Sequence, residues 1–167
     1  INVSDHNNKK NVLSAELKSF YKIKRAIANT GYIEAVTWSF MDEKIAKILS
    51  ANVIMIKNPI SADLDVMRPS NIPNLLSAVN LNKSKMINSG KIFEVGPIFD
   101  EALEDKQVNV ATGIAYGNTS GNNWNSTKKN FDVFDIKSDL MTILKSLNAP
   151  IDNLNYEAID NRVFHPG

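Results

Sequence analysis

Apolar positions fall into periodic runs from Ser14 onward, whereas residues 1–12 are polar and without period and read as a linker or tail. Leu17, Phe20, Tyr21, Ile23, Ile27 and Ala28 recur at near-helical spacing. Ser14 supplies a cap, Glu16 suits the positive end of the helix dipole, and Gly31 supplies a stop, so a helix is expected over 14–30. Ile33–Phe40 is β-branched and aromatic and predicts a strand. Asp42 caps a short helix ending at Leu49, and Val53–Ile56 reads as a brief buried strand. Asn58-Pro59 and Arg68-Pro69 bracket an irregular segment, since the residue before a proline is pushed out of helical geometry. Pro73 fits the first turn of the next helix, which runs through Leu75, Leu76, Val79 and Met86 toward Ser89-Gly90.

Two strands follow, Lys91–Phe99 and Val108–Tyr116, across an acidic turn holding Glu101, Glu104 and Asp105. Gly117–Asn130 is a polar loop. Phe131–Leu147 is helical, with Phe134, Leu140, Ile143, Leu144 and Leu147 as its apolar face, and Asn155–Ile159 predicts a last strand. Adjacent strands joined by a short turn favour antiparallel pairing, which puts the chain in the α+β class.

The 167 residues set one domain as the default, and 43% apolar with 22% charged residues argues for a globular module over 13–167. A net charge of +1 lacks the excess of a dominant nucleic-acid footprint, although Lys83, Lys85, Lys128 and Lys129 offer a weaker basic set. The absence of cysteine removes disulfides, thiolate zinc sites and cysteine nucleophiles together. No apolar run is long enough to span a bilayer, and the polar start does not resemble a signal peptide, so a cytoplasmic setting is expected and no membrane partner. The absence of an initiator methionine and the abrupt finish at His165-Pro166-Gly167 read as a piece of a longer polypeptide.

Nucleotide-binding glycine loops and the G-x-S-x-G elbow are missing. His6 falls in the tail and His165 at the chain end, neither beside a Ser/Asp partner in sequence. Asp132, Asp135 and Asp139 share helix-compatible spacing; they either collect a divalent cation or serve the first turns of a helix, and the second reading is preferred. Glu94 lies in a strand among apolar neighbours, where it either faces a cavity or pairs with a lysine. Arg68 is one of three arginines, beside Pro69; it either clamps a carboxylate or phosphate or makes a structural ion pair. Trp124 is singled out only by rarity.

Five blocks, in order, resemble the beta-subunit family of bacterial phenylalanyl-tRNA synthetases. Gly31-Tyr32-Ile33-Glu34-Ala35-Val36-Thr37-Trp38-Ser39-Phe40 is similar to the family's G-Y-x-E-x-x-T-[YW]-S-F. Asn58-Pro59-Ile60-Ser61, then Met67-Arg68-x-Ser70 and Pro73-x-Leu75-Leu76, resemble N-P-[IL]-S and [ML]-R-x-S-L-x-P-G-L-L. Ile92-Phe93-Glu94-Val95-Gly96-x-x-Phe99 is similar to I-F-E-[IV]-G-x-x-F. Trp124 with Phe131-Asp132-x-Phe134-Asp135-x-Lys137-x-Asp139 resembles W…D-F-x-D-x-K-G-D, and His165-Pro166-Gly167 resembles a later H-P-G. Asn74 and Ser138 depart from the pattern's glycines.

The resemblance implies a class II synthetase-like antiparallel sheet flanked by helices, incomplete at its C-terminal end. It implies a non-catalytic core module, assembled with a synthetase alpha subunit as two alpha and two beta chains. Phenylalanine and ATP would bind the alpha subunit, with magnesium needed by the holoenzyme and tRNA met through it. No cofactor, metal or catalytic residue is expected within these residues. Active class II enzymes carry F-R-x-E, whose arginine holds the ATP α-phosphate; here Phe99-Asp100-Glu101-Ala102 stands in that place, and an anion facing a triphosphate repels it. Phe20, Tyr21 and Trp38 are the expected anchors of the subunit interface. The alternative is a class II-like ligase domain that still binds an amino acid or nucleotide through Arg68 and Glu94.

Overall fold

The computed structural model describes residues 13–103, 105–119, 129–152, 154, 155, 157 and 163–165. The Ser14 hydroxyl accepts the Leu17 N–H at 3.2 Å and opens α1 (Ala15–Ala28). Gly31, at φ +88°, then turns the chain toward β1 (Ile33–Glu34). There follow β2 (Phe40–Met41), α2 (Glu43–Leu49), β3 (Val66–Met67), α3 (Ile72–Ser84), β4 (Gly90–Phe99), β5 (Gln107–Tyr116) and α4 (Val133–Ser146). Asp42 caps α2 by accepting the Lys44 and Ile45 N–H groups, and Pro73 occupies the first turn of α3. A capping box starts α4: Asp132 accepts from the Asp135 N–H while the Asp135 carboxylate accepts from the Asp132 N–H. The α+β class is as expected from the sequence.

β4 and β5 form the anticipated antiparallel hairpin, in register from Gly90 opposite Tyr116 to Phe99 opposite Gln107. β1 joins the other edge of β4 in parallel, with Ile33 opposite Ile92 and Glu34 opposite Phe93. The sheet, ordered β1-β4-β5, is therefore mixed, which corrects the antiparallel sheet expected. The connection over 35–89 is long enough to form the crossover that parallel strands require. β2 and β3 make a separate antiparallel pair.

Three other expectations need correction. The single strand over 33–40 breaks into β1 and β2, because the backbone between them is partnered by side chains from elsewhere. Residues 53–56 do not form a strand of their own. They pair with β3 through one bridge, Met55 opposite Val66, with flanking bonds from Ile56 N to Asp65 O and from Met67 N to Ile54 O. α3 ends at Ser84, short of Met86, whose φ of 65° is not helical. The strand expected over 155–159 lies mostly outside the described residues.

Alternation along β4 decides where the cores sit. Phe93 and Val95 pack with Ile27 and Tyr32, joined by Phe20, Ile23 and Ile143, on the face covered by α1 and α4. Ile92 points to the other face and packs with Leu75, Val79 and Tyr116 under α3. Met41, Ala46 and Val66 form a small third core beside α2. Glu94 shares the face of Ile92, and so meets the segment that links β1 to β2 and the residue that follows β3. Among the described residues no helix is long and apolar enough to cross a membrane.

Candidate functional site

Arg68 and Glu94, singled out separately in the sequence, are brought together at the heart of the fold. The Arg68 Nη1 donates to Glu94 Oε1 at 2.8 Å, with the two side chains 1% and 5% exposed. Around them the hydrogen bonding is dense. Arg68 Nη1 also donates to Thr37 Oγ1 at 2.9 Å and to the Trp38 carbonyl at 3.3 Å, and Nε donates to the Pro97 carbonyl at 2.9 Å. The Thr37 hydroxyl in turn donates to Glu94 Oε2 at 2.6 Å. The Arg68 backbone is fixed as well, its N–H donating to Ser39 O and its carbonyl accepting from Phe99 N–H, both at 2.9 Å. Gly96 is needed here, because a Cβ at that position would stand 2.8 Å from Arg68 Nη2.

This cluster binds three stretches of chain that no ladder joins: the β1–β2 link, the residue after β3, and β4. It explains the broken strand, since Thr37 and Trp38 give their polar groups to Arg68 and Glu94. Each of the two buried charges has the other as its partner. The lysine partner considered for Glu94 is replaced by Arg68.

Asp100 lies at the turn from β4 to β5. Its Oδ2 accepts the Ser50 hydroxyl at 2.6 Å and its Oδ1 accepts the Ala102 N–H at 2.8 Å. The carboxylate thus ties the hairpin turn to the C-terminal end of α2. The three aspartates at helical spacing are also committed. Asp132 and Asp135 form the capping box, with the Lys129 Nζ 2.8 Å from Asp132 Oδ2, and Asp139 meets Lys91 Nζ at 2.6 Å. Hydrogen bonding to Lys129 holds the Asp132 carboxyl below the usual carboxylate range. Tyr32 is pushed up to about 12, chiefly by burial and then by the charge of Asp139 and a hydrogen bond to it.

The expected interface residues divide. Phe20 is half-buried against the α1/α4 core and stacks edge-on with Tyr21 at 5.8 Å between centroids, while Tyr21 is exposed. Trp38 is 66% exposed, yet its carbonyl accepts from both Arg68 and the Asn74 amide, the latter at 2.6 Å. It walls a groove of about 550 Å³ between the β1–β2 link, α2 and α3, with Val36, Ile45 and Leu81 as further exposed apolar residues. Lys83 and Lys85 end α3, at a distance in sequence from Lys129 near α4. His6, Trp124 and Lys128 lie outside the described residues.

Two residues of consequence escaped sequence reasoning. Thr37 is the hydroxyl bridge of the central cluster, and only its place in the T-W-S-F block could have drawn attention to it. Asn71, at the start of α3, is wholly buried with neither side-chain amide atom partnered. The similar pattern S-L-x-P carries leucine at that point, and the departure was the available signal.

Comparison with known proteins places these features in a family. Residues 3–167 match the model described as the phenylalanyl tRNA synthetase beta chain CLM domain. A phenylalanine–tRNA ligase beta subunit from Rhodospirillum rubrum is 36% identical over 160 residues, covering 95% of this chain and 20% of the relative. The corresponding subunit from Mesorhizobium japonicum is 37% identical over 150 residues, covering 86% and 19%. The chain thus spans about a fifth of the length of these curated relatives. Among solved structures, a pyrrolysyl-tRNA synthetase from Desulfitobacterium hafniense superposes with a TM-score of 0.61 at 14% identity, covering 81% of this chain and 46% of that one. The last likeness establishes a synthetase-type fold.

Proposed function

The chain belongs to the phenylalanyl-tRNA synthetase beta-chain CLM domain family, and from that premise we propose that it is a non-catalytic core module whose work is assembly. In this reading it packs against a synthetase alpha subunit, within a complex of two alpha and two beta chains in the cytoplasm. That complex attaches phenylalanine to its tRNA using ATP and magnesium, with the adenylation chemistry housed in the alpha subunit.

The observation that carries the reading is the commitment of Asp100. At the place where active class II enzymes use an arginine on the α-phosphate, this chain has a carboxylate with both oxygens accepting hydrogen bonds from Ser50 and Ala102. A charge of the wrong sign, spent on holding a turn, supports a scaffold over an adenylating site. The exposed apolar rim around Trp38 supports an assembly surface, since contiguous apolar exposure marks interaction sites.

Size-exclusion chromatography with light scattering, on the chain alone and mixed with the alpha subunit, tests the proposal. A stable mixed complex supports it. A folded chain that never associates counts against it.

A further inference from the structure

The groove beside Trp38 has walls of two kinds. Val36, Trp38, Ile45 and Leu81 stand exposed around it, Val36 at 86%, while Met41 and Ala78 close it from below. Asp42 and Asp63 also line it, and no lysine or arginine does so among its described lining residues. Both carboxylates are held in place locally: Asp42 caps α2, and Asp63 accepts the Ser61 hydroxyl, which holds its carboxyl below the usual range. An apolar slot with an acidic rim is complementary to an apolar side chain flanked by a cation.

The Trp38 wall is fixed from behind. Its carbonyl accepts from Arg68 and from Asn74, and its neighbour Thr37 is locked between Arg68 and Glu94. An exposed anchor on a rigid backbone loses little conformational freedom when a partner closes on it, which is what preorganised interfaces exploit. Burying an ion pair is otherwise a poor route to stability. Holding the link between β1 and β2 out of the sheet, with its tryptophan presented outward, gives the cluster a second use.

We infer that this groove receives a lysine- or arginine-flanked apolar segment of the partner polypeptide, and that Arg68, Thr37 and Glu94 are positioning residues for its Trp38 wall. The inference rests on the assembly reading and specifies its site.

The test uses a Trp124→Phe background, which leaves Trp38 as the only tryptophan, and measures affinity for the alpha subunit together with Trp38 fluorescence anisotropy. Trp38→Ala, made in the chain without the reporter, is expected to weaken association by at least roughly tenfold, the scale of a truncated anchor. Asp63→Lys is expected to weaken it about fivefold or more by reversing the rim charge. Thr37→Val removes the bridging hydroxyl at nearly constant shape; it is expected to lower Trp38 anisotropy and affinity together while far-ultraviolet circular dichroism is unchanged. Thr37→Ser, which keeps the hydroxyl, is expected to restore both. Association that Trp38→Ala and Asp63→Lys leave unchanged would overturn the groove while leaving the assembly reading intact. Unchanged anisotropy in Thr37→Val would overturn the positioning role. If the unaltered chain fails to associate at all, the assembly reading fails and takes the occupant with it.

Discussion

Arg68 and Glu94, 26 residues apart, meet side chain to side chain at 2.8 Å in a place that water does not reach. Removing either charge alone strands the other in a medium of low dielectric. Glu94→Leu or Arg68→Met alone is expected to lower the unfolding free energy by about 3–5 kcal/mol. The double variant Arg68→Met with Glu94→Leu is expected to cost well under the sum of the single changes, since no charge is left unpaired. Urea denaturation of the four proteins of the cycle measures this. Additive losses would mean the two side chains do not act as a pair.

Asn71 presents the opposite case, a buried amide with neither atom partnered. An unsatisfied polar group of this kind costs roughly 1–3 kcal/mol. Asn71→Leu, which restores the residue type of the similar motif, is expected to raise the urea midpoint by a comparable free energy at unchanged slope. A fall in stability would instead point to an ordered water satisfying the amide.

Much of the fold was legible because its signals are local. Ser14 and Asp42 announced two helices, and each caps as its chemistry predicts; Asp132, expected inside the first turn of a third, stands one step earlier as its cap. The β4–β5 hairpin was readable from two apolar runs across a short polar turn. The break between β1 and β2 was not readable, because its cause, Glu94, lies 57 residues beyond Thr37. The parallel pairing of β1 with β4 was hidden for a similar reason: the direction of a strand after a long crossover leaves no trace in its own residues. For the site, rarity and strand context singled out Arg68 and Glu94, while their mutual pairing came only with the tertiary structure. Asn71 shows the limit from the other side, since a polar residue at a helix start reads as a cap, and here it caps nothing.

Gly117 should tolerate no side chain. Its φ of +73° is one that L residues rarely adopt, and a Cβ would collide with the Asn88 carbonyl and the Ser89 side chain. Gly117→Ala is expected to cost more than about 1 kcal/mol, combining backbone strain with displacement of the link between α3 and β4. Thermal unfolding followed by circular dichroism checks it, and an unaltered midpoint would be the contrary result.

Alkaline pH probes Tyr32 specifically. Burial, and then the charge of Asp139, push its hydroxyl from near 10 up to about 12. Between those values the unfolded chain has released the proton that the native state still holds. The stabilisation is therefore complete below about pH 10 and is lost as pH rises through 12. Tyr32→Phe is expected to be less stable at neutral pH, through loss of the bond to Asp139, and to approach the unaltered protein as pH rises above 10. The pH dependence of the difference between their urea midpoints is the measurement. Parallel pH profiles would refute the assignment.

Asp100 offers the sharpest contrast between scaffold and active site. Both of its oxygens are engaged in shaping the turn, so Asp100→Ala is expected to cost about 1 kcal/mol for each of the two hydrogen bonds removed. It should do so without opening a nucleotide site, because the anion is only one of the features a triphosphate would need reversed. Calorimetric titration of the unaltered chain with magnesium-ATP is expected to give no binding heat, and Asp100→Arg to give at most a weak, salt-sensitive signal from the added cation. If the unaltered chain binds ATP, and Asp100→Arg binds it no better, the carboxylate is not what excludes the nucleotide. The module would then have to be read as a ligase domain that still holds its substrate.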